Sequence, residues 1–407
     1  MFRVSVVLGS MFGDEGKGHM TDVLCNNPKT LNVRFNGGAQ ASHTVVTPEG
    51  NRHAFRHFGS GTFLDVPTFL TEHFIINPFS YILEREELIN SFNLIPMEYV
   101  HPSCIVTTLW DMYINQAVEE MRGESRHGSC GLGINETVQR SNIQKYKITV
   151  KDILDNNYIK NKLENIQKEY VPLRLKEEYG LCITDLPQEY QNLLNDDEII
   201  EMHLFYFYEF LSNITIANYE IFEMFDNVVF EGAQGLLLDQ NNSEYFPNVT
   251  TSNTGLKNVL DILKIINYQG NLEVYYITRC YATRHGVGLF KSEIDKKPYS
   301  NIIDLTNTPN KFQGCLRFGY LDFDTLSQAI NKDLLNLTFK AKINVVVTCI
   351  DQLDSVVKYI IKNNIHEVKK DDFISLCWNV LKDKINDLSD MYLTNGLTRN
   401  NFFKYKK

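Results

Sequence analysis

The chain opens with an apolar run at positions 4–8, which leads into a glycine-rich loop at 9–18 and then into a helix-compatible stretch at 19–24. The run predicts a strand and the stretch after the loop predicts a helix. A strand, a glycine loop and a helix in this order are typical of sheets that bind ligands at the carboxyl ends of their strands. This opening predicts an α/β fold.

Four later apolar runs repeat the strand pattern, at 31–35, 227–230, 272–277 and 343–349. The last three follow helix-like stretches and run into loops rich in Gly, Asp, Arg or Thr. Strands that alternate with helices imply parallel pairing with function at the carboxyl ends. We therefore predict a central, mostly parallel sheet with helices on both faces, similar to a P-loop nucleotide-binding fold.

The composition changes between about 142 and 226, where Lys, Glu, Asn and Tyr are dense and glycine nearly vanishes. Helical spacing is visible at 199–225. We interpret the segment as a helical insertion whose charged residues form solvated faces. It separates the second predicted strand from the third.

The overall composition excludes several classes of protein. Fifty acidic against 40 basic residues give a net charge of −10, which argues against a protein that coats nucleic acid. No stretch approaches the roughly 18 to 20 uncharged apolar residues of a membrane span, and no signal peptide is recognisable. The eight cysteines form no Cys-x-x-Cys pair and predict free thiols. We expect a cytoplasmic protein without nucleic-acid or membrane partners.

The glycine loop suits phosphate chemistry, because glycines let backbone N–H groups approach phosphate oxygens and Lys17 can neutralise a terminal phosphate. It is not a Walker A loop, since Met11 and Gly18 stand where that motif requires Gly and Ser or Thr. Asp14 and Glu15 are unfavourable beside a phosphate unless a metal ion or a proton-transfer role compensates. The alternative interpretation is a glycine-rich turn with surface charges.

Eight segments in one order carry further motifs. They are Gly9-Ser-Met-Phe-Gly-Asp-Glu-Gly-Lys-Gly18, Arg34-Phe-Asn-Gly-Gly-Ala-Gln-Ala-Ser-His-Thr44, Gly128-Ser-Cys-Gly-Leu-Gly133, Phe230-Glu-Gly-Ala-Gln-Gly-Leu-Leu-Leu-Asp239, Asn248-Val-Thr-Thr-Ser-Asn-Thr254, Tyr281-Ala-Thr-Arg284, Gly319-Tyr-Leu-Asp322 and Thr348-Cys-Ile-Asp351. Together they resemble the motifs of the adenylosuccinate synthetase family, from the first strand almost to the C-terminus. The resemblance implies a single domain over 1–407 that contains the helical insertion.

The resemblance implies a ligase of purine biosynthesis that joins L-aspartate to C6 of IMP, driven by GTP through a 6-phosphoryl intermediate. In this family Asp14 would be the general base that removes the N1 proton. His43 would be the donor and later acid, and Lys17 would help to hold phosphate. Mg²⁺ would bind the Asp14 carboxylate and the backbone carbonyl of Ser42. A homodimer is also implied.

The same resemblance assigns the nucleotide-binding residues. Asp351 would read guanine, because its carboxylate can accept from both N1–H and the exocyclic amine. Arg140 would reach the acceptor phosphate, across the dimer interface. The full implied set is Gly13, Glu15, Gly16, Lys17, Gly18, Gln40, Ser129, Cys130, Arg140, Gln234, Leu238, Thr250, Asp351, Thr394 and Gly396.

The main departure from the family lies in the loop that would bind the amino acid. Typical members place several arginines there, which clamp both carboxylates of aspartate. Only Arg317 and Lys311 remain as cations in this loop, and Arg284 would assist them. Cys349 replaces the family's lysine before the guanine-reading aspartate, which weakens the case for GTP.

Two alternatives stay open at this point. Viral relatives use dGMP, but those carry Ser at the position of Asp14, so Asp14 favours IMP. An acceptor of dGMP, with ATP in place of GTP, is the second candidate. A catalytically inactive nucleotide-binding homologue is the third, and the intact Asp14, Lys17, His43 and Gln234 argue against it.

Overall fold

The computed structural model describes residues 2–123, 129–303 and 315–406. Its strands are β1 Arg3–Gly9, β2 Thr30–Arg34, β3 His43–Val46, β4 Arg52–Phe55, β5 Thr68–Leu70, β6 Glu98–Val100, β7 Thr215–Ile216, β8 Asn227–Gly235, β9 Leu272–Arg279, β10 Tyr281–Arg284, β11 Glu293–Ile294, β12 Arg317–Asp322, β13 Ala341–Thr348, β14 Val356–Ile361, β15 Asn364–Lys369, β16 Leu388–Thr394 and β17 Phe402–Lys404. Its α-helices are α1 Lys17–Cys25, α2 Pro78–Phe92, α3 Leu109–Arg122, α4 Ile134–Ser141, α5 Asn156–Asn165, α6 Val171–Tyr179, α7 Gln188–Asn195, α8 Glu198–Ser212, α9 Lys257–Ile265, α10 Phe323–Leu334 and α11 Lys370–Lys384.

The main sheet has the order β17-β16-β13-β9-β1-β8-β2-β5-β6-β7. All neighbouring strands run parallel except β16 and β17, which are antiparallel. The first strand lies between β8 and β9, so Val4 pairs with both Val228 and Leu272. A strand with neighbours on both edges and cover on both faces needs a continuous apolar run, which explains the opening of the sequence. The predicted parallel sheet is confirmed.

Helices cover both faces of the sheet. Val6 of β1 joins a large core that also contains residues of α9, α10 and α11. Val7 points the other way, because successive side chains alternate, and packs in a smaller core with Met20 of α1. All five strands that the sequence predicted are present, and helices α9, α10 and α11 lie opposite α1 across the sheet.

A second core joins the helices of residues 142–226 to earlier parts of the chain. Side chains of α5, α6, α7 and α8 pack there with side chains of α2 and α3. Asn77 caps α2 by accepting from Ser80 N at 3.0 Å, and Thr108 caps α3. The segment also supplies β7, which pairs with β6 at the edge of the main sheet. The helices therefore share one core with residues that precede them.

Two smaller units complete the fold. A second sheet has the order β10-β12-β14-β15, with β11 also paired to β12, and β3 and β4 form a separate antiparallel pair. In the described part of the chain, no helix combines the length and the apolar character that crossing a membrane requires. The eight cysteines form no disulfide, as the sequence predicted.

Candidate active site

The glycine loop joins β1 to α1 at the carboxyl edge of the main sheet. Gly13 has a φ of 108° and Gly16 a φ of 98°, which side chains other than glycine rarely adopt. Gly13 also packs against Gln234 at the end of β8, where an added Cβ would lie 3.0 Å from the Gln234 Cα. The loop therefore needs glycine both for its turns and for its close contact with the neighbouring strand end.

Glu15 organises this loop from within. One of its carboxylate oxygens accepts from the backbone N–H groups of Gly13 at 2.8 Å and Met11 at 3.1 Å. Lys17 donates to the Gly13 carbonyl at 2.6 Å, and its ammonium lies 3.8 Å from the second Glu15 oxygen. Burial raises the pKa of Glu15 and lowers the pKa of Lys17, although each opposes the other's shift. Through these bonds Glu15 holds the loop in its conformation.

His43 is held by a buried carboxylate that the sequence did not single out. Its Nδ1 lies 2.6 Å from Glu231, and Ser60 donates to the same carboxylate from its hydroxyl and, at 3.0 Å, from its backbone N–H. Desolvation lowers the pKa of His43 to about 4 in spite of Glu231, while His43 and other donors hold the pKa of Glu231 at about 2. The ring is therefore neutral at pH 7 and gives its Nδ1–H to Glu231.

The second nitrogen of His43 faces the candidate site. Nε2 is buried and has no hydrogen-bond partner among the described residues. In the neutral ring this nitrogen is an acceptor, and it becomes a donor when an anionic ligand raises its proton affinity. A charged residue in the middle of the buried strand β8 was the available signal for Glu231, but its partner lies 188 positions away in sequence.

A cavity of about 400 Å³ brings most of the predicted residues together. The Asp14 carboxylate lines it and has no hydrogen-bond partner within the described ranges. Exposed Ser42 and the buried Lys17 and His43 lie in the same wall. The predicted residues that it gathers are Gly13, Asp14, Glu15, Gly16, Lys17, Gly18, Ser42, His43, Asp351, Thr394 and Gly396.

A second cavity of about 220 Å³ contains Gln40 and Thr250 from the predicted set. It also contains Glu72 and His73, which the sequence did not identify. One oxygen of Gln40 and one of Glu72 are buried and have no hydrogen-bond partner in the described structure, and His101 Nδ1 lies 4.0 Å from the Glu72 oxygen. Leu238 is close to this cavity, because its carbonyl accepts from Thr250 N at 2.8 Å. The cavity thus presents acceptors to a ligand that can donate.

The turn at 129–133 lies outside both cavities. The Ser129 hydroxyl donates to Asn115 at 2.7 Å, its N–H donates to Glu119 at 3.3 Å, and Gly131 N donates back to the hydroxyl at 3.1 Å. Cys130 is half-buried next to it. Helix α3 therefore holds this turn, which leads directly into Ile134 and Val138 of α4, two residues that line the smaller cavity.

The structure places Arg140, which was expected to bind a phosphate, in a buried network. Its side chain is fully buried and donates to Asp111 at 2.8 to 3.1 Å, to the Tyr146 carbonyl at 2.7 Å and to the Val106 carbonyl at 2.7 Å. All three guanidinium nitrogens are used by this network. In this arrangement Arg140 cannot also bind a phosphate, because that would leave the Asp111 carboxylate buried and unpaired.

The cations expected to bind an amino acid are also occupied. Arg317 pairs with Glu293 at 2.7 Å and donates to the carbonyls of Gly286 at 3.0 Å and Gly288 at 2.9 Å. Arg284 lies 4.6 Å over the ring of Phe12, and burial lowers its pKa to about 10.

Neither arginine lines the two cavities described above, and Lys311 lies outside the described residues. In this conformation the structure does not gather the expected aspartate clamp around Asp14.

Comparison with known proteins shows the family of this chain. The sequence model of the adenylosuccinate synthetase family matches residues 6–378. The chain therefore belongs to the adenylosuccinate synthetase family.

Among its relatives are adenylosuccinate synthetases from Mesoplasma florum, 28% identical over 88% of this chain and 79% of that protein, and from Synechococcus sp., 30% identical over 74% and 66%. The relative from Microcystis aeruginosa is 29% identical over 71% of this chain and 62% of its own length. For several of these relatives the chain thus spans less than two thirds of their length.

Solved structures share the fold at low sequence identity. A fully ligated adenylosuccinate synthetase from Plasmodium falciparum gives a TM-score of 0.73 at 18% identity, and each chain is covered completely. The succinoaminodeoxyadenylate synthetase of cyanophage S-2L, bound to dGMP and to dATP as an energy donor, gives a TM-score of 0.62 at 12% identity over 99% of this chain and 95% of its own.

Proposed function

We propose that this protein is a ligase that joins L-aspartate to C6 of a 6-oxopurine nucleotide, with IMP as acceptor and GTP as phosphoryl donor. The observation that carries the proposal is one cavity in which Asp14, Lys17 and the Glu231-bound His43 meet at the carboxyl edge of the sheet. Family membership over residues 6–378 supports it.

The proposed reaction begins at the purine ring. The 6-oxo oxygen is a poor leaving group, so it must be phosphorylated before an amine can displace it. Asp14 takes the N1 proton, the O6 atom forms a bond to the γ-phosphorus, and the bond from that phosphorus to the β–γ bridging oxygen breaks. The amine of aspartate then attacks C6 and phosphate leaves. The unpaired Asp14 carboxylate suits the first step.

Lys17 and His43 stabilise the charge that spreads over the phosphoryl oxygens. Lys17 has a single hydrogen bond, to the Gly13 carbonyl, so donors remain for a phosphate. His43 turns Nε2 away from Glu231 and can hold a proton at this atom toward a phosphoryl oxygen. An anion in the site would raise the pKa of both groups, against the burial that lowers the pKa of Lys17 and of His43.

The residues present fit a magnesium ion. Within the described ranges no cluster of three or more His, Cys, Asp or Glu could hold a metal by itself. Mg²⁺ characteristically uses one or two carboxylates together with substrate phosphates and water. Asp14 and the Ser42 carbonyl would hold it, and bound there it would neutralise phosphate charge.

The amine donor is proposed to be aspartate on the basis of the family alone. Arg317 and Arg284 would have to exchange their present partners, Glu293 and backbone carbonyls, for substrate carboxylates. A homodimer likewise remains a proposal. The buried network of Arg140 gives no support to a phosphate contact across a subunit interface.

A second candidate is dGMP as acceptor, with ATP as donor. The specific observation in its favour is Glu72 in the smaller cavity, whose buried Oε2 has no hydrogen bond among the described residues and lies 4.0 Å from His101 Nδ1. A carboxylate can accept from the 2-amino group of guanine, which IMP does not have. Asp14 favours IMP, as argued from the sequence.

One experiment separates these candidates. Purified protein is incubated with each combination of IMP or dGMP, GTP or ATP, and aspartate or another amino acid, and released phosphate and adduct mass are measured. We expect phosphate and adenylosuccinate only with IMP, GTP and aspartate. A signal confined to dGMP would replace the first candidate by the second, and no signal in any combination would leave only a non-catalytic homologue.

A further inference from the structure

The base-binding end of the larger cavity is built where β9 and β13 end side by side. Arg279 pairs with Thr348 in the parallel register of these strands. The chain then turns at Cys349, whose φ is 64°, into a short 3₁₀ helix, Ile350–Gln352. Asp351 and Gln352 therefore line the same cavity as Asp14 and Arg279.

A directed hydrogen-bond relay fixes the amide of Gln352. Arg279 Nη1 donates to the Tyr281 hydroxyl at 2.9 Å, and that hydroxyl lies 2.6 Å from Gln352 Oε1. A guanidinium can only donate, so the Tyr281 oxygen is the acceptor of the first bond. In the structure this hydroxyl donates its own proton to Gln352 Oε1. The relay is thus consistent with the amide orientation in which Oε1 faces Tyr281 and the NH₂ group faces away from it.

The other end of this amide is left for a ligand. Within the described residues, no hydrogen bond engages the Gln352 NH₂ group. Next to it, Asp351 is exposed and presents a carboxylate that can only accept. Exposed apolar side chains, Ile303 and Leu397, line the same cavity and suit the faces of a planar ring. The cavity wall therefore offers a donor beside an acceptor.

This order matches the edge of guanine. Guanine presents an acceptor at O6 and donors at N1 and the 2-amino group, so a donor and a carboxylate pair with all three. Adenine presents an amino group at position 6, which would face the N–H groups of Gln352 donor to donor. Two donors that face each other without acceptors weaken binding of adenine, and this weakening is a source of specificity.

We propose that Gln352 is a specificity-determining residue that donates its amide to the 6-oxo oxygen of the donor nucleotide's base. Tyr281 and Arg279 are positioning residues that hold the amide with its oxygen toward Tyr281 and its NH₂ group toward the ligand. The inference rests on the proposed function, because it assigns the cavity to a nucleoside triphosphate. Arg279 also donates to the Asp14 carbonyl, so the same side chain contacts the loop of the general base.

The test is direct binding of GDP and ADP to the full chain, measured by calorimetry with Mg²⁺ and without turnover. We expect the unmodified protein to bind GDP at least tenfold more tightly than ADP. Gln352→Glu keeps the acceptor for Tyr281 but replaces the NH₂ donors by an oxygen. It should weaken GDP binding at least tenfold and change ADP binding less than twofold, so the preference is lost.

Two further variants make the result specific. Tyr281→Phe frees the amide to rotate and should reduce the GDP-to-ADP preference about threefold to fivefold, an effect that loss of packing alone would not have. Gln269→Glu makes the same chemical change at an exposed position before β9, at the opposite edge of the sheet, and should leave both affinities unchanged. Thermal unfolding of each variant confirms that it is folded.

The outcomes distinguish the inference from the proposed function. If GDP binds and Gln352→Glu leaves the GDP-to-ADP preference within twofold, the role of Gln352 is wrong and the proposed function stands. If the unmodified protein prefers ADP, the role of Gln352 is likewise wrong and ATP becomes the donor. If neither nucleotide binds, the proposed function fails and the inference fails with it.

Discussion

Lys17 and Arg140 are both buried cations, 2% and 0% exposed, yet they lie in regions that use charge differently. Arg140 belongs to the helical region, where Asp111 and two carbonyls occupy its guanidinium. Lys17 belongs to the strand-end region, where it has one hydrogen bond and a carboxylate 3.8 Å away. Burial of a charge therefore does not identify a site. Lys17 differs from Arg140 because it lines a cavity and keeps donors for a ligand there.

The same contrast holds for the acids. Asp111 accepts bonds from Arg140, Thr108 and Thr137, and Glu136 accepts from Arg174 and Tyr179. At the strand ends, the Asp14 carboxylate lacks a partner within the described residues. These acids of the helical region are engaged within the protein, whereas the Asp14 carboxylate is available to the proposed ligands.

The largest effect that would test this contrast is expected for Asp14→Asn. The variant loses the general base, and turnover should fall about 10³-fold to 10⁴-fold. Its thermal unfolding should stay within about 1 °C, because no described residue bonds to this carboxylate. Asp371→Asn, an exposed position in the first turn of α11, is the matched control. A turnover rate within tenfold of that of the unmodified protein would show that Asp14 is not the general base.

Arg140→Met should show the opposite behaviour. It leaves Asp111 buried without its partner, and we expect a loss of about 3 to 5 kcal/mol in the free energy of unfolding, measured by urea titration. Lys160→Met, which breaks an exposed pair with Glu201, should cost far less, because water screens exposed ion pairs. The KM for the acceptor nucleotide should change less than about twofold in Arg140→Met. A large increase in that KM would show that Arg140 contributes to binding of the acceptor nucleotide.

Glu231→Gln is expected to reduce kcat about 100-fold while the KM for the triphosphate changes little. A glutamine can donate to His43 Nδ1, which would force the proton onto Nε2 and remove the negative charge behind the ring. The measurement is steady-state kinetics from pH 6 to 9. An unchanged kcat would mean that Glu231 serves only the fold.

The smallest effect concerns stability against pH. His203 accepts from Leu109 N at 2.9 Å and lies 2.6 Å from the Ile199 carbonyl, so its ring must be neutral, and burial lowers its pKa to about 4. The unfolded chain binds this proton below pH 6.5 and the folded chain does not. Stability should therefore fall as pH decreases from 6.5 toward 4, by up to about 2 kcal/mol per such histidine at pH 5.

His43 should contribute in the same direction, because its pKa is also lowered to about 4. Urea unfolding at a series of pH values measures the slope, and His203→Gln should reduce it whatever the variant's overall stability. A slope that does not change in this variant would contradict the neutral assignment of His203.

Local patterns predicted much of the fold and part of the site. The five apolar runs became neighbouring strands because buried parallel strands need continuous apolar sequence. The loop around Asp14 and Lys17 was recognisable because its residues are contiguous. The strand β7 was not, since two exposed residues carry no pattern.

The rest depended on partners that are distant in sequence. Glu231 and His43 are 188 residues apart, and Arg140 and Asp111 are 29 apart. The sequence gives no sign that Asp111 would bind the Arg140 guanidinium. The acceptor Glu72 in the smaller cavity was missed for the same reason, because only the folded chain brings it beside Gln40 and Thr250.

The order of strands has a consequence for synthesis of the protein. Strand β1 is made first, yet its two neighbours are β8 and β9, so a nascent chain that ends before Asn227 holds β1 without either. The larger cavity takes walls from Gly13 through Leu397 and is complete only when nearly the whole chain has left the ribosome. Nascent chains that end before Leu397 therefore lack part of the cavity wall, and a ligand of this cavity can stabilise only chains that extend past that residue.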